Sequence, residues 1–147
     1  MKQKNKHIFV FGIFAVDLSF YVDKKVKPGE TIIAKSSNIG PGGKASNQAI
    51  SARKLGASTT LITRLGNDNF SSYANDIWRR EKLFASTKID KNLPTGMAGI
   101  FIDDKTGENS VIVDPGASAQ LSIDDFYLQK SKMKKGDILL TQFEQSS

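Results

Sequence analysis

The stretch Gly40-Pro41-Gly42-Gly43-Lys44-Ala45-Ser46-Asn47-Gln48-Ala49 holds the residues best placed to do chemistry. Three glycines and a proline run straight into an alanine-rich helical pattern. Glycine lets the backbone take positive φ and approach a ligand closely. The helix that follows offers unpaired N–H groups and the positive end of a dipole. Lys44 and Asn47 add side-chain donors. A small polar or anionic molecule suits such a cradle.

Two familiar glycine motifs fit poorly. A Walker A loop needs G-x-x-x-x-G-K-[ST]. Gly43-Lys44 supplies the middle, but Asn38 stands where the first glycine belongs and Ala45 where a hydroxyl should ligate magnesium. A dinucleotide fingerprint can be laid on Gly40, Gly42 and Ala45, yet it should follow a buried strand, and Ile33-Ala34-Lys35-Ser36-Ser37 is too polar for one. A tight structural turn into a helix stays open as a reading.

The elements that must position this segment follow from periodicity. Ile8 to Phe14 is a continuous apolar run and reads as a strand buried on both faces. Leu18 to Asp23 partly alternates, as a half-exposed strand does. Lys27-Pro28-Gly29 signals a turn, and Thr31 to Ser37 reads as a short polar strand. Lys44 to Leu55 is helical, closed by Gly56, with Ala45, Ala49 and Ala52 on one face. Thr59 to Thr63 is the next buried strand and Gly66-Asn67-Asp68 a turn. Asn69 or Ser71 can then cap a helix through Lys82. Lys88 to Asp90 suggests a short strand. Met97 to Ile102 and Ser110 to Val113 read as a hairpin around Asp103 to Gly107. Ser122 and Asp125 resemble a capping box for a helix to about Lys132, and Ile138 to Thr141 is a final strand. Buried strands alternating with helices imply an α/β fold with a partial parallel sheet. The polar strands near Phe20, Ile33, Phe101 and Ile112 are expected in a small antiparallel sheet beside it.

Composition narrows the chemistry. The chain has 147 residues, 24% charged and 39% hydrophobic, enough for one domain with a real core. It contains no cysteine and a single histidine, His7, which excludes disulfides and leaves little for a zinc site or a Ser-His-Asp triad. Net charge is +6, but the lysines are scattered (Lys2 to Lys6, Lys24 to Lys27, Lys130 to Lys135) without interleaved aromatics. Solvated lysines are the simpler reading. The basic start and the apolar run ending at Asp17 lack a small-residue cleavage pattern, and no apolar stretch approaches the roughly 18 residues of a membrane span. A cytoplasmic protein with no membrane or nucleic-acid partner is expected.

Gly42-Gly43-Lys44-Ala45-Ser46-Asn47-Gln48-Ala49, Ala52-Arg53-Lys54-Leu55-Gly56-Ala57 and Gly66-Asn67-Asp68 together resemble the N-terminal signature of the ribokinase-like (PfkB) carbohydrate kinases. Val10-Phe11-Gly12-Ile13 with Asp17, Pro28-Gly29-Glu30-Thr31, Thr95-Gly96, Gly107-Glu108-Asn109, Pro115 to Ala119 and Gln142-Phe143-Glu144 fall in the family's order. The resemblance implies a ribokinase-like fold in which a sugar lies between the central sheet and a β lid, with lid strands near 17–38 and 97–114. It implies that Asp17 accepts from sugar hydroxyls, that Gly42 and Gly43 present backbone N–H groups, that Lys44 and Asn47 donate, and that Glu144 holds another hydroxyl. Ala15 stands where many ribokinases carry asparagine, so a sugar other than ribose, or a nucleoside-like substrate, is compatible.

The resemblance covers an N-terminal half only. The G-A-G-D motif with the catalytic aspartate, and the ATP site of family members, find no match in residues 1–147. No catalytic, cofactor or metal residue is therefore expected in this chain. ATP and Mg2+ are expected for a full-length member, and so is a homodimer through the lid. The expectation is a truncated, inactive sugar-binding portion, with an exposed sheet edge near Leu139 and Leu140 that lowers solubility. Two alternatives stand beside it: a non-catalytic sugar-binding half-module needing a separate C-terminal partner, and a basic nucleic-acid-binding protein.

Overall fold

The apolar run near the start of the chain forms a strand, but a shorter one than its hydrophobicity suggests. The computed structural model describes residues 6–144; Lys2 and Lys4 of the basic start, and the chain's last three residues, lie outside them. In chain order the strands and helices are β1 His7–Phe11, β2 Ala15–Val22, β3 Ser36–Gly42, α1 Lys44–Lys54, β4 Ser58–Gly66, α2 Asn69–Arg80, β5 Phe84–Asp90, β6 Thr95–Asp103, β7 Asn109–Gly116, α3 Ile123–Lys130 and β8 Ile138–Thr141. A short 3-10 helix, Ala117–Gln120, precedes α3. Residues 12–14, expected to extend β1, instead carry the chain from one sheet to another. The Gly12 N–H donates to the Ile62 carbonyl at 3.1 Å. Ile13 and Phe14 are apolar because this crossing is buried, Phe14 completely.

The first sheet is parallel, in the order β5-β4-β1-β8. β1 pairs with β4 from His7↔Ser58 to Phe11↔Ile62, and with β8 from Ile8↔Ile138 to Phe11↔Thr141. The second sheet runs β3-β2-β6-β7. It is not the small antiparallel sheet expected from sequence: it has as many strands as the first, and β2 and β6 pair in parallel. All of α1, β4, α2 and β5 lies between β2 and β6 in the chain, and so long a crossover permits parallel pairing. The β6–β7 hairpin is antiparallel as expected, and so is β2–β3.

The expected strand at Thr31 to Ser37 sits further along. β3 pairs from Tyr21↔Ser36 to Ala15↔Gly42, while Ile33 is 94% exposed. Gly40, Pro41 and Gly42 are therefore paired strand, not loop. Pro41 is tolerated because β3 is an edge, where a missing N–H need not break a ladder.

Helix α1 lays Ala45 and Ala49 against the parallel sheet, both completely buried, and Ala52 only partly. The small side chains bring its backbone close to β1 and β4. Helix α2 adds Ala74, Ile77 and Trp78 to the same core. The Trp78 ring meets Phe14 edge-on at 5.2 Å, and its Nε1 donates to Ser46 Oγ at 3.2 Å. Gly56, at φ +89°, follows the last turn of α1 as expected. The N-cap of α2 is Asp68, not Asn69 or Ser71; its side chain accepts from the Ser71 N–H. The capping box of Ser122 and Asp125 is present, and α3 ends at Lys130, slightly short of expectation. Asp125 also accepts from Arg64 Nε at 2.8 Å, which ties α3 to β4.

Candidate functional site

Ligands of open α/β sheets bind outside the carboxyl ends of the parallel strands. Here β1 leaves that end for β2, and β8 leaves it through Gln142, Phe143 and Glu144. Gly42 and Gly43 reach the same place from β3, and α1 starts there at Lys44.

Gly42 and Gly43 are glycines for two different reasons. A Cβ on Gly42 would lie 2.1 Å from Asp17 Oδ1, so the bare backbone is what lets the carboxylate rest against it. Gly43 caps α1 at φ +83°, and a Cβ there would meet the Ile13 carbonyl oxygen at 2.5 Å and Phe14 Cα at 2.8 Å. The left-handed conformation and the backbone clash both demand glycine.

Helix α1 has no side-chain cap and no acidic residue in its first turn. Helices α2 and α3 satisfy their first N–H groups with Asp68 and with Ser122 and Asp125. The donors and positive dipole end of α1 are thus left for something other than a cap.

Asp17 stands half-buried on β2. Burial pushes its carboxyl above the usual range for an aspartate. Among the described residues no hydrogen bond or ion pair holds it. A partly desolvated carboxylate beside uncapped helix donors can accept hydrogen bonds from the hydroxyls of a polyhydroxylated ligand.

Lys44 and Glu144, a hundred positions apart, form an ion pair through Nζ and Oε1. The Glu144 side chain is 23% exposed and that of Lys44 68%. Gln142 Nε2 donates to Gln48 Oε1 one turn along. The exit of β8 is therefore strapped to the first turns of α1. Asn47 is exposed on α1, and no hydrogen bond among the described residues ties its side chain to the other candidates. Of the six residues singled out from sequence, Asp17 meets Gly42 and Lys44 meets Glu144, two contacts joined through Gly43, which itself packs against Ile13 and Phe14. Asn47 lies one turn away.

Sequence reasoning named Asp68, Ser71, Thr95 and Ser118 within its motifs but not the bonds by which they brace this end of the sheet. The Asp68 carboxylate accepts from the Thr95 N–H at 2.6 Å and from the Thr95 hydroxyl at 2.8 Å. The Gly66 N–H donates to Thr95 Oγ1 at 3.0 Å. Burial works to raise the Asp68 carboxyl, but hydrogen bonds from Thr95, Ser71 and Phe70 together hold it below the usual range. The buried Ser118 hydroxyl donates to the carbonyls of Phe14, at 3.1 Å, and Arg64, at 3.2 Å. Asp68 and Ser71, three apart at a helix start, are a readable cap signal; Thr95 and Ser118 stand in the motifs Thr95-Gly96 and Pro115 to Ala119, but nothing local shows which groups they bond.

The sequence profile described as pfkB family carbohydrate kinase matches residues 5–142. A ribokinase of Dictyostelium discoideum is 35% identical over 95% of this chain and 44% of its own length. A deoxyribokinase of Salmonella typhi is 34% identical over 93% of this chain and 45% of its own. Among solved structures, that of ribokinase from Giardia lamblia superposes with a TM-score of 0.85 at 28% identity, over 96% of this chain and 43% of that one. The chain thus spans less than half the length of these relatives.

Proposed function

The chain belongs to the pfkB family of carbohydrate kinases, and from that premise we propose that these residues form the sugar-holding part of an ATP-dependent kinase acting on a sugar hydroxyl. The observation that carries this reading is the Asp17 carboxylate, half-buried and unpartnered among the described residues, resting against Gly42 beside the uncapped start of α1. Asp17 accepts from sugar hydroxyls. The backbone at Gly42 and Gly43 admits the ring close to the helix donors. Lys44 and Glu144 close the rim, and Asn47 adds a donor from the first turn.

The substrate we propose is a pentose or a nucleoside-like pentoside. The relatives above carry the names ribokinase and deoxyribokinase. Ala15, buried and paired with Gly42, offers no amide to the sugar, so one hydroxyl contact is missing and a deoxy sugar loses nothing there. Phosphoryl transfer further needs γ-phosphate stabilisation and a base within reach of the attacking hydroxyl. The described residues hold no group of three or more His, Asp or Glu side chains fit to hold a metal ion, and residues 1–147 contain no G-A-G-D stretch. For phosphoryl transfer we propose that nucleotide, magnesium and base are supplied by residues other than those of the Asp17 site. A cytoplasmic setting, where ATP is abundant, and pairing of two copies through the second sheet complete the proposal.

Calorimetric titration with ribose, deoxyribose, fructose and adenosine tests it. Saturable heat with one of them, lost in Asp17→Asn, is expected. The same 147-residue polypeptide mixed with that sugar, ATP and Mg2+ should form no sugar phosphate. Absence of heat with every sugar overturns the binding role, and turnover overturns the division of labour.

A further inference from the structure

A second cleft opens at the opposite end of the parallel sheet. His7 begins β1, Ser58 begins β4, Phe84 begins β5, and Asp137 directly precedes β8. These amino ends border a cavity of about 630 Å3. Strands of this length separate it from the Asp17 crevice by roughly 15 Å, so its occupant touches neither Asp17 nor Lys44.

Its lining is strongly basic. Arg53, Lys82, Lys132 and Lys134 converge on it with His7, and Asp137 is its one acid. Asp137 is already spent on backbone: Oδ1 accepts from the His7 N–H at 3.1 Å and Oδ2 from the Lys134 N–H at 2.9 Å. Those two bonds hold its carboxyl below the usual range. None of the four cations has a carboxylate within ion-pair distance among the described residues, although nearby Lys54 and Lys88 find Glu81 and Asp125. Arg53 is aimed by its Nε, which donates to the Lys82 carbonyl at 2.9 Å and leaves the rest of the guanidinium toward the cleft. Lys132 Nζ lies 5.6 Å from the centre of the exposed Phe84 ring, over its face.

Four cations against the single Asp137 carboxylate leave the cavity with excess positive charge, and an anion between them relieves their mutual repulsion. The hydroxyls of Ser58 and Thr60, each 2.8 Å from a His7 ring nitrogen, add polar groups at the floor. The volume lies within the range of small-molecule sites and exceeds what a single phosphate fills.

We propose that this cleft is a second ligand site, for a small anion bearing a chain of phosphates. The inference is independent of the sugar-holding role. Tripolyphosphate is the probe, titrated calorimetrically into the 147-residue chain at about 0.15 M salt, where diffuse surface attraction is largely screened. Saturable binding is expected. Lys132→Ala/Lys134→Ala should weaken it about tenfold or more, as loss of charge-assisted hydrogen bonds does; Arg53→Gln should weaken it too. Lys91→Ala/Lys105→Ala, distant lysines, should leave it unchanged, as should Asp17→Asn. Circular dichroism of each variant verifies the fold. ATP binding more tightly than tripolyphosphate, with the difference lost in Phe84→Ala, identifies a nucleotide as the source of the phosphates; equal affinity identifies the phosphate chain alone. No saturable binding, or equal binding by the double variant, overturns the proposal. So does a single-stranded RNA that binds the cleft more tightly than either small anion, since that marks a nucleic-acid surface.

Discussion

The carboxylate of Asp68 holds Thr95 twice, by its backbone N–H at 2.6 Å and by its hydroxyl at 2.8 Å, while the same side chain caps helix α2 through the Ser71 N–H at 2.9 Å. One residue thus joins the end of the parallel sheet to the first residue of β6 in the other sheet. Gly66 closes the same joint: a Cβ on it would lie 2.4 Å from the Thr95 nitrogen.

Removing that carboxylate should loosen the joint. Asp68→Ala is expected to cost about 1–3 kcal/mol, the loss of a cap plus donors left unmet, read as a lower urea midpoint. The folded carboxyl titrates below its unfolded value. Its stabilisation is therefore complete above the unfolded pKa and drains away as pH falls through the folded one. Asp68→Asn should lose less stability than wild type between neutral pH and about pH 3. Parallel acid limbs would contradict the assignment.

Gly42 and Gly43 should separate binding from folding. The atom in the way of Gly42→Ala is the movable Asp17 carboxylate. Stability should change by less than about 1 kcal/mol, while sugar affinity falls as Asp17 is displaced. Gly43→Ala meets backbone at φ +83° and should lose upwards of about 2 kcal/mol. Melting curves and sugar titrations on both variants make the comparison. Equal effects on stability would refute it.

Asp17 should impose a pH profile on sugar binding. Burial raises its carboxyl, and the ionised form is the better acceptor of hydrogen bonds from hydroxyls. Affinity should rise with pH through a midpoint above that of an ordinary aspartate, and Asp17→Asn should bind weakly and independently of pH. Stability has the opposite sign. Between its unfolded and folded pKa the native state binds the extra proton, so this residue's contribution falls as pH rises. A midpoint at or below the ordinary value would argue against Asp17 as the acceptor.

The Lys44–Glu144 pair should matter to the ligand and little to the fold. The Lys44 side chain is 68% exposed, and such pairs contribute about 0–1 kcal/mol. Glu144→Gln and Lys44→Met should each keep the melting temperature within a few degrees and reduce sugar affinity. A large loss of stability with unchanged affinity would assign the pair to the scaffold instead.

Sequence carried much of this site because its signals are local. Glycines before a helix, an alanine face and a Gln-x-Glu step are visible without knowing what they touch. Position of the backbone at Gly40 to Gly42 was less legible. Ile32 and Ile33 looked like the strand, yet the partner of β2 is the glycine- and proline-bearing run at 36–42, chosen by edge pairing and not by propensity. The parallel pairing of β2 with β6 depends on residues about eighty positions apart, Val16↔Met97 among them, which periodicity cannot show. Asp68, Asn69 and Ser71 are all good caps at adjoining positions. Only the second demand on Asp68, from Thr95, sets it apart.

The central strand of the parallel sheet has a history of its own. β1 is made first, but one of its neighbours, β8, lies 130 residues later, at Ile8↔Ile138. At about 5–20 residues per second of synthesis, that gap lasts on the order of ten seconds. For the first part of it β1 has no partner, and once β4 (Ser58–Gly66) is made β1 can hold that strand and nothing on its other side. A growing chain therefore carries an open, apolar strand edge on β1 until β8 has emerged, and such an edge is a template for pairing with other chains.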